Sequence, residues 1–159
     1  MARLVNLSSD KATIMTRLTD SPELCKALYY TESNFLDMPD IEDPSILFYE
    51  NIFPFARVPE LAQEGKSYIT MSFRDFRPTR TNHRFKSGLI QINAFTHNRL
   101  VRTDHGVLRF DLMMHEIDKL MNEKRGLGIG KTEFYKMDEY YVNEHYMGQY
   151  IAYKIYESN

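Results

Sequence analysis

The sequence predicts an α+β domain: a mainly antiparallel sheet of about four strands, a central amphipathic helix packed on one face, and short helices at the N-terminus. Three observations carry this. An apolar stripe of helical spacing runs through 104–122, period-two alternation marks 68–73, 88–95 and 146–156, and two helix-start signals stand close together before residue 31. Strand pairs segregated around a single helix fit an antiparallel sheet better than a βαβ arrangement. With 159 residues, 43% hydrophobic and 26% charged, the chain has the balance of one globular domain and not of a disordered segment. Its expected parts are N-terminal helices (1–30), an extended acidic connection (31–66) and a sheet-and-helix core (67–159).

The opening nine residues are mildly amphipathic, and Ser9 or Asp10 is the expected cap of a helix carrying Ile14, Met15 and Leu18. A second helix starts at once: Ser21 or Asp20 caps, Pro22 suits the first helical position, and Leu24, Ala27 and Leu28 form a short apolar face up to Tyr30. Cys25 belongs to that face as a small hydrophobe, since no base is in sight to activate it. A single cysteine excludes an intramolecular disulfide framework and points to a reducing compartment. No secretory leader and no run near 18 apolar residues is present, so neither export by a signal peptide nor a membrane span is expected.

From Thr31 to Gly65 the periodicity fades, and Pro39, Pro44, Pro54 and Pro59 break the chain into extended pieces and turns. Glu32, Asp37, Asp40, Glu42, Asp43, Glu50, Glu60 and Glu64 stand here against Arg57 alone, a local charge of −7. The run of acids lacks the glycine and spacing of a calcium loop and is read as a solvated surface. Ile46, Leu47, Phe48, Ile52, Phe53 and Phe55 are too apolar for solvent, so the segment wraps the domain or meets a partner.

Tyr68–Phe73 reads as a half-buried strand, with Ile69, Met71 and Phe73 on one face. Gly88–Phe95 repeats the pattern and pairs with it. Between them Arg74, Arg77, Arg80, Arg84 and Lys86 face only Asp75, in a stretch too long for a tight turn and read as a projecting basic loop. Asp104–Asn122 follows as the central helix of about five turns. Thr103 or Asp104 caps it, the glycines at 126, 128 and 130 end it, Phe110, Met113, Met114, Ile117, Leu120 and Met121 form its stripe, and Arg109 and Glu116 lie on its polar side. Lys131–Val142 and Tyr146–Tyr156 form a last hairpin, turning near Asn143, Glu144 and His145.

The five histidines, His83, His97, His105, His115 and His145, show no metal-ligand spacing. The run at 126–131 resembles a phosphate loop but closes a helix instead of opening one. No Gly-x-Ser-x-Gly elbow occurs, and no catalytic constellation, metal site or cofactor site is expected. The basic loop could hold phosphates, yet the net charge is −2 and no nucleic-acid-binding motif is present, so an acidic protein surface is its better partner. The acidic stretch and the basic residues of 74–102 (Arg74, Arg77, Arg80, Arg84, Lys86, Arg99 and Arg102 against Asp75) together invite head-to-tail contact between subunits. Candidate contacts are Arg77, Arg80, Arg84 and Lys86 on one side, Asp37, Asp40, Glu42 and Asp43 on the other, with Phe53 and Phe55 supplying apolar area. The alternative is that the two runs neutralise each other within one subunit or face solvent.

The segments 51–60, 67–79, 88–95, 102–122, 125–134 and 146–157, taken in this order, resemble the small head-to-tail connection and tail-completion proteins of tailed bacteriophages. The family pattern falls on Arg109, Ile117, Asp118, Asn122, Gly128, Ile129 and Gly130, and the resemblance covers residues 50–157. It implies a non-enzymatic virion protein that forms a ring, a hexamer or dodecamer, at the head–tail junction. Such a ring ends tail growth, joins tail to head, meets neck, portal-side or tail-tube proteins, and lets genomic DNA pass without sequence-specific binding. Assembly would take place in the host cytoplasm, and no membrane is involved. A neck or head-completion ring beside the portal is the alternative within this class. A small hydrolase and a nucleic-acid-binding regulator are the alternatives outside it.

Overall fold

The computed structural model describes residues 4–60 and 65–159, so Met1–Arg3 of the opening segment and Glu64 of the acidic stretch lie outside the described residues. Three helices cover one face of a five-stranded sheet: α1 (Leu7–Leu18), α2 (Pro22–Tyr29) and α3 (Arg109–Met121), with β1 (Ile52–Phe53), β2 (Ser67–Pro78), β3 (Phe85–His97), β4 (Ile129–Tyr141) and β5 (Tyr146–Ser158). The strand order is β1-β2-β3-β5-β4. All pairings are antiparallel except β1 with β2. The sheet thus has five strands where about four were expected. The extra one is β1, two residues inside the proline-broken connection and too short to show a period.

The start of α2 follows the sequence closely: the Ser21 hydroxyl accepts from Leu24 N–H at 3.1 Å, and Pro22 occupies the first position. α1 begins earlier than expected, so Ser9 and Asp10 lie inside its first turn; Asn6 precedes it without a side-chain cap. α3 is shorter than expected. Residues 102–108 are spent on a turn in which Arg102 bridges Leu108 and the Thr103 hydroxyl donates to Val107 O, so neither Thr103 nor Asp104 caps the helix. Its thirteen residues end at Met121, where Asn122 N–H bonds Asp118 O and Glu123 takes φ 56°, ahead of the glycines.

Two hairpins, β2–β3 and β4–β5, are joined along the full length of β3 and β5, from Phe85 opposite Ser158 to His97 opposite Tyr146. Ile69, Met71, Ile90, Ile92, Ala94, Ile151, Tyr153 and Ile155 face the helices and meet Ile14, Leu18, Leu24, Met113, Ile117 and Met121. β2 is not half-buried as expected: Tyr68 and Thr70 on its other face are also buried. There Phe53, Tyr68, Phe95 and Tyr146 form a second cluster, with Tyr68 stacked on Phe95 at 5.5 Å between ring centroids. The loop expected over 74–87 shrinks to 79–84, because β2 and β3 run on past it. A bulge between Arg74 and Arg77, with Asp75 at φ 57°, lets the pairing resume. Phe76 then lies across Gly88, where an added Cβ would stand 2.4 Å from its ring.

Candidate interaction surfaces

The basic hairpin occupies the far end of the sheet. Arg77 sits in β2 opposite Ser87, while Arg80 and Arg84 are on the exposed turn that Thr79 closes by donating from its hydroxyl to Asn82 O at 2.6 Å. Asn159 ties the chain end to this turn: its N–H bonds Arg84 O at 2.8 Å and its amide donates to His83 O at 3.0 Å. Lys86 departs from the expected contact set, because it is buried: its ammonium donates to Ser158 O at 3.1 Å and lies 3.6 Å from the Glu157 carboxylate. Beside the turn, Arg77, Arg80, Ser87, Tyr135, Lys154 and Tyr156 line a cavity of about 470 Å³ together with one acid, Asp75. Its chemistry suits an anionic group, since the arginines offer forked donors and Lys154 a compact charge.

The acidic stretch lies at the other end. Asn51 bonds both Leu28 O (2.8 Å) and Ser67 O (2.9 Å), which places the end of α2 beside the start of β2. Tyr30 donates to Pro39 O at 2.7 Å, and Lys26 donates to Leu36 O and reaches Asp40 at 2.9 Å. Asp43 accepts from Ser45 N–H and hydroxyl, starting a 3₁₀ turn over Pro44–Leu47, while Asp37 and Glu42 are exposed. The twelve residues of β2, at about 3.3 Å each, separate the two ends by about 40 Å. Among the described residues no ion pair joins the acidic stretch to the hairpin arginines. The basic run itself divides, since Arg99 shares a cavity with Tyr29, Glu50 and Lys66 near the acidic end. Phe53 also leaves the expected contact set: at 2% exposure it belongs to the second core cluster, whereas Phe55 is 46% exposed.

Arg109 is the largest finding that the helical pattern hid. Expected on the polar side, it is fully buried, and its guanidinium donates four bonds of 2.9 Å, to Ala27 O, Tyr30 O, Glu32 O and Leu100 O. It also lies 4.3 Å from the Phe35 ring centroid. Burial lowers its pKa to about 10, against a partial counter-effect from Glu32, so it is charged at neutral pH. The signal was present in the spacing: Arg109 stands four and eight residues before Met113 and Ile117, on their stripe. Glu116 is buried too, accepting from the Ser21 hydroxyl at 2.9 Å and from Lys119. Three more of the family-pattern residues have structural roles. Asp118 accepts from the Tyr153 hydroxyl at 2.7 Å, Asn122 closes α3, and Gly128 at φ 65° leaves no room for a Cβ, which would stand 2.3 Å from Tyr156 O.

Burial, helped by Asp20 and Asp40, pushes the Cys25 thiol up to about 11, away from thiolate chemistry. His97 and His145 stack at 6.0 Å, and burial with Arg99 nearby lowers the His97 pKa. Among the described residues no group of three or more His, Cys, Asp or Glu is placed to hold a metal ion, and no helix is long and apolar enough to cross a membrane.

Sequence reasoning also missed a surface on β4. Phe134, Tyr135, Met137 and Tyr141 are exposed there, and the only signal was a strand with large apolar residues on both faces. Searches of curated proteins and of solved structures return no match. A family model described as YomW matches residues 21–155, from the cap of α2 to within β5. The chain therefore belongs to the YomW family, which marks it as a phage-associated protein.

Proposed function

We propose that this chain is a structural virion protein of a tailed bacteriophage, a ring at the head–tail junction that ends tail growth and joins tail to head. The observation that carries the reading is the match of residues 21–155 to a phage-associated family. The charge layout supports it: a cyclic ring needs two different patches on each subunit, and the hairpin arginines and the acidic stretch lie at opposite ends of one sheet. In this reading the protein works by assembly and not by catalysis. It is made in the host cytoplasm, joins the virion, and lets DNA pass through the ring without reading its sequence. Arg77, Arg80 and Arg84, with Asp37, Asp40, Glu42 and Asp43, orient neighbouring subunits or neck proteins. Exposed ion pairs contribute only about 0 to 1 kcal/mol each, so apolar area must supply most of the affinity.

The deciding measurement is mass in solution across a concentration series, with negative-stain images. A closed ring is the expected result. A compact monomer or a simple dimer at all concentrations overturns the reading.

A further inference from the structure

The two outer edges of the sheet carry exposed apolar patches that differ in position and chemistry. On the β4 edge, Phe134 pairs across from Tyr153, Met137 from Ile151 and Tyr141 from Met147, which puts all three, with Met147, on the face that the helices cover. α3 packs over β3 and β5 and leaves this strip open: Phe134 is 53% exposed, Met137 49%, Tyr141 80% and Met147 42%. On the β1 edge the exposed residues flank Phe53, which pairs with Thr70 and points to the opposite face. Tyr49, Phe55 and Val58 are 61%, 46% and 64% exposed there, and the rings of Tyr49 and Phe55 lie 6.5 and 5.7 Å from that of Phe53.

We propose that these patches are the two halves of one subunit contact, in which the helix-side face of β4 laps over the outer face of the next copy's β1 edge. Patches on opposite edges and opposite faces cannot meet by a two-fold rotation that pairs each with itself. They meet when copies overlap in one sense, as ring closure requires. The chemistry matches as well, with Met137 and Met147 on one side and aromatic rings on the other, a favourable sulfur–aromatic pairing. At about 200 Å² per large side chain, the exposures amount to about 450 Å² on β4 and about 340 Å² on the β1 edge. A standard interface buries about 800 Å² per partner, somewhat over half of it apolar, so the β4 strip alone approaches the apolar share. Lys131, Glu133, Lys136, Asp138 and Glu139 along β4 guard its backbone against simple strand addition, which favours face-on lapping.

The inference rests on the ring reading and is tested apart from it with the full chain. One variant carries Met137→Glu with Tyr141→Glu, the other Phe55→Glu with Val58→Glu. Each is measured by sedimentation beside the wild type, with circular dichroism to check folding. Each variant alone is expected to stay monomeric, its apparent Kd for assembly raised at least about 100-fold by charge buried against apolar surface. An equal mixture should form a one-to-one heterodimer that grows no further, because each mutant retains one working half. Should a double variant unfold, Tyr141→Glu and Val58→Glu alone carry the same readout. Rings from either variant, failure of the mixture to pair, or dimers from the Phe55/Val58 variant alone overturn the lapped contact while the ring stands. A wild type that never exceeds a dimer removes both.

Discussion

Replacing Arg109 by methionine tests how the acidic segment and α2 are held to α3. The substitution keeps most of the side-chain volume and removes every donor. Ala27 O loses a buried partner, which costs about 1 to 3 kcal/mol, and Tyr30 O, Glu32 O and Leu100 O, part-buried and able to take water, lose about 1 kcal/mol each. The contact with Phe35 is worth about 2 kcal/mol when desolvated. Against these stands the burial cost of the cation, which the fall in pKa from 12.5 to about 10 puts at about 3 kcal/mol. The net expected loss is about 3 to 5 kcal/mol, a lowering of the melting midpoint by roughly 6 to 20 °C for a chain of this size. Arg109→Lys should cost at least as much, because an ammonium cannot span four carbonyls set around a planar fork. Urea and thermal unfolding give the numbers. A lysine variant within about 1 kcal/mol of wild type would refute the reasoning, since the fork geometry would then carry no weight.

Asp10 is buried, and burial together with the neighbouring Glu157 carboxyl raises its pKa from 3.8 to about 6. An acid raised in the folded state contributes stability that is full below its unfolded pKa and lost as pH rises through about 6. Asp10→Asn should therefore gain on the wild type between roughly pH 4 and pH 8, by about 1 to 2 kcal/mol once the full shift is discounted for solvent screening, read from urea midpoints; a difference independent of pH contradicts the assignment. Ile117, fully buried beneath the sheet, should cost about 2 to 5 kcal/mol on truncation to alanine, and an unchanged melting midpoint would exclude its core role. Arg80→Glu with Arg84→Glu should impair ring formation or tail joining in a folded monomer. Reversing Asp37, Asp40, Glu42 and Asp43 should partly restore it, and normal assembly of the double variant at low and moderate salt would assign the hairpin arginines elsewhere.

The strand pairs, the last hairpin and the start of α2 were legible because each rests on a local signal: alternation, a turn at Asn143, or Ser21 followed by Pro22. β1 was not legible, because two residues cannot display a period and their partner strand β2 begins only at Ser67. The polar side assigned to α3 failed at Arg109 and Glu116 for one reason. A charged side chain whose decisive partners are carbonyls or a hydroxyl from other segments is buried at little net cost, and those partners are invisible in a helical window. The basic loop was overdrawn because Arg77 and Lys86 look like turn residues by composition, while the bulge at Asp75 carries the ladder past them. The surface candidates fared unevenly. Phe55, Arg80 and Arg84 are exposed, whereas Phe53 and Lys86 are buried by neighbours that only the folded sheet supplies.

The bonds from Arg109 to Ala27, Tyr30 and Glu32 span 82, 79 and 77 residues of chain. During synthesis at roughly 5 to 20 residues per second, α2 would wait about 4 to 16 s for the residue that receives its last carbonyls. Over that interval Leu24, Ala27 and Leu28 have no sheet to cover them, since β2 and β3 are still being made. The docking of α2 is thus a late step that depends on closing a long loop, and its rate follows chain topology more than helix propensity. Slow elongation upstream of α3 therefore lengthens the aggregation-prone interval, and faster elongation shortens it, without changing a single native contact.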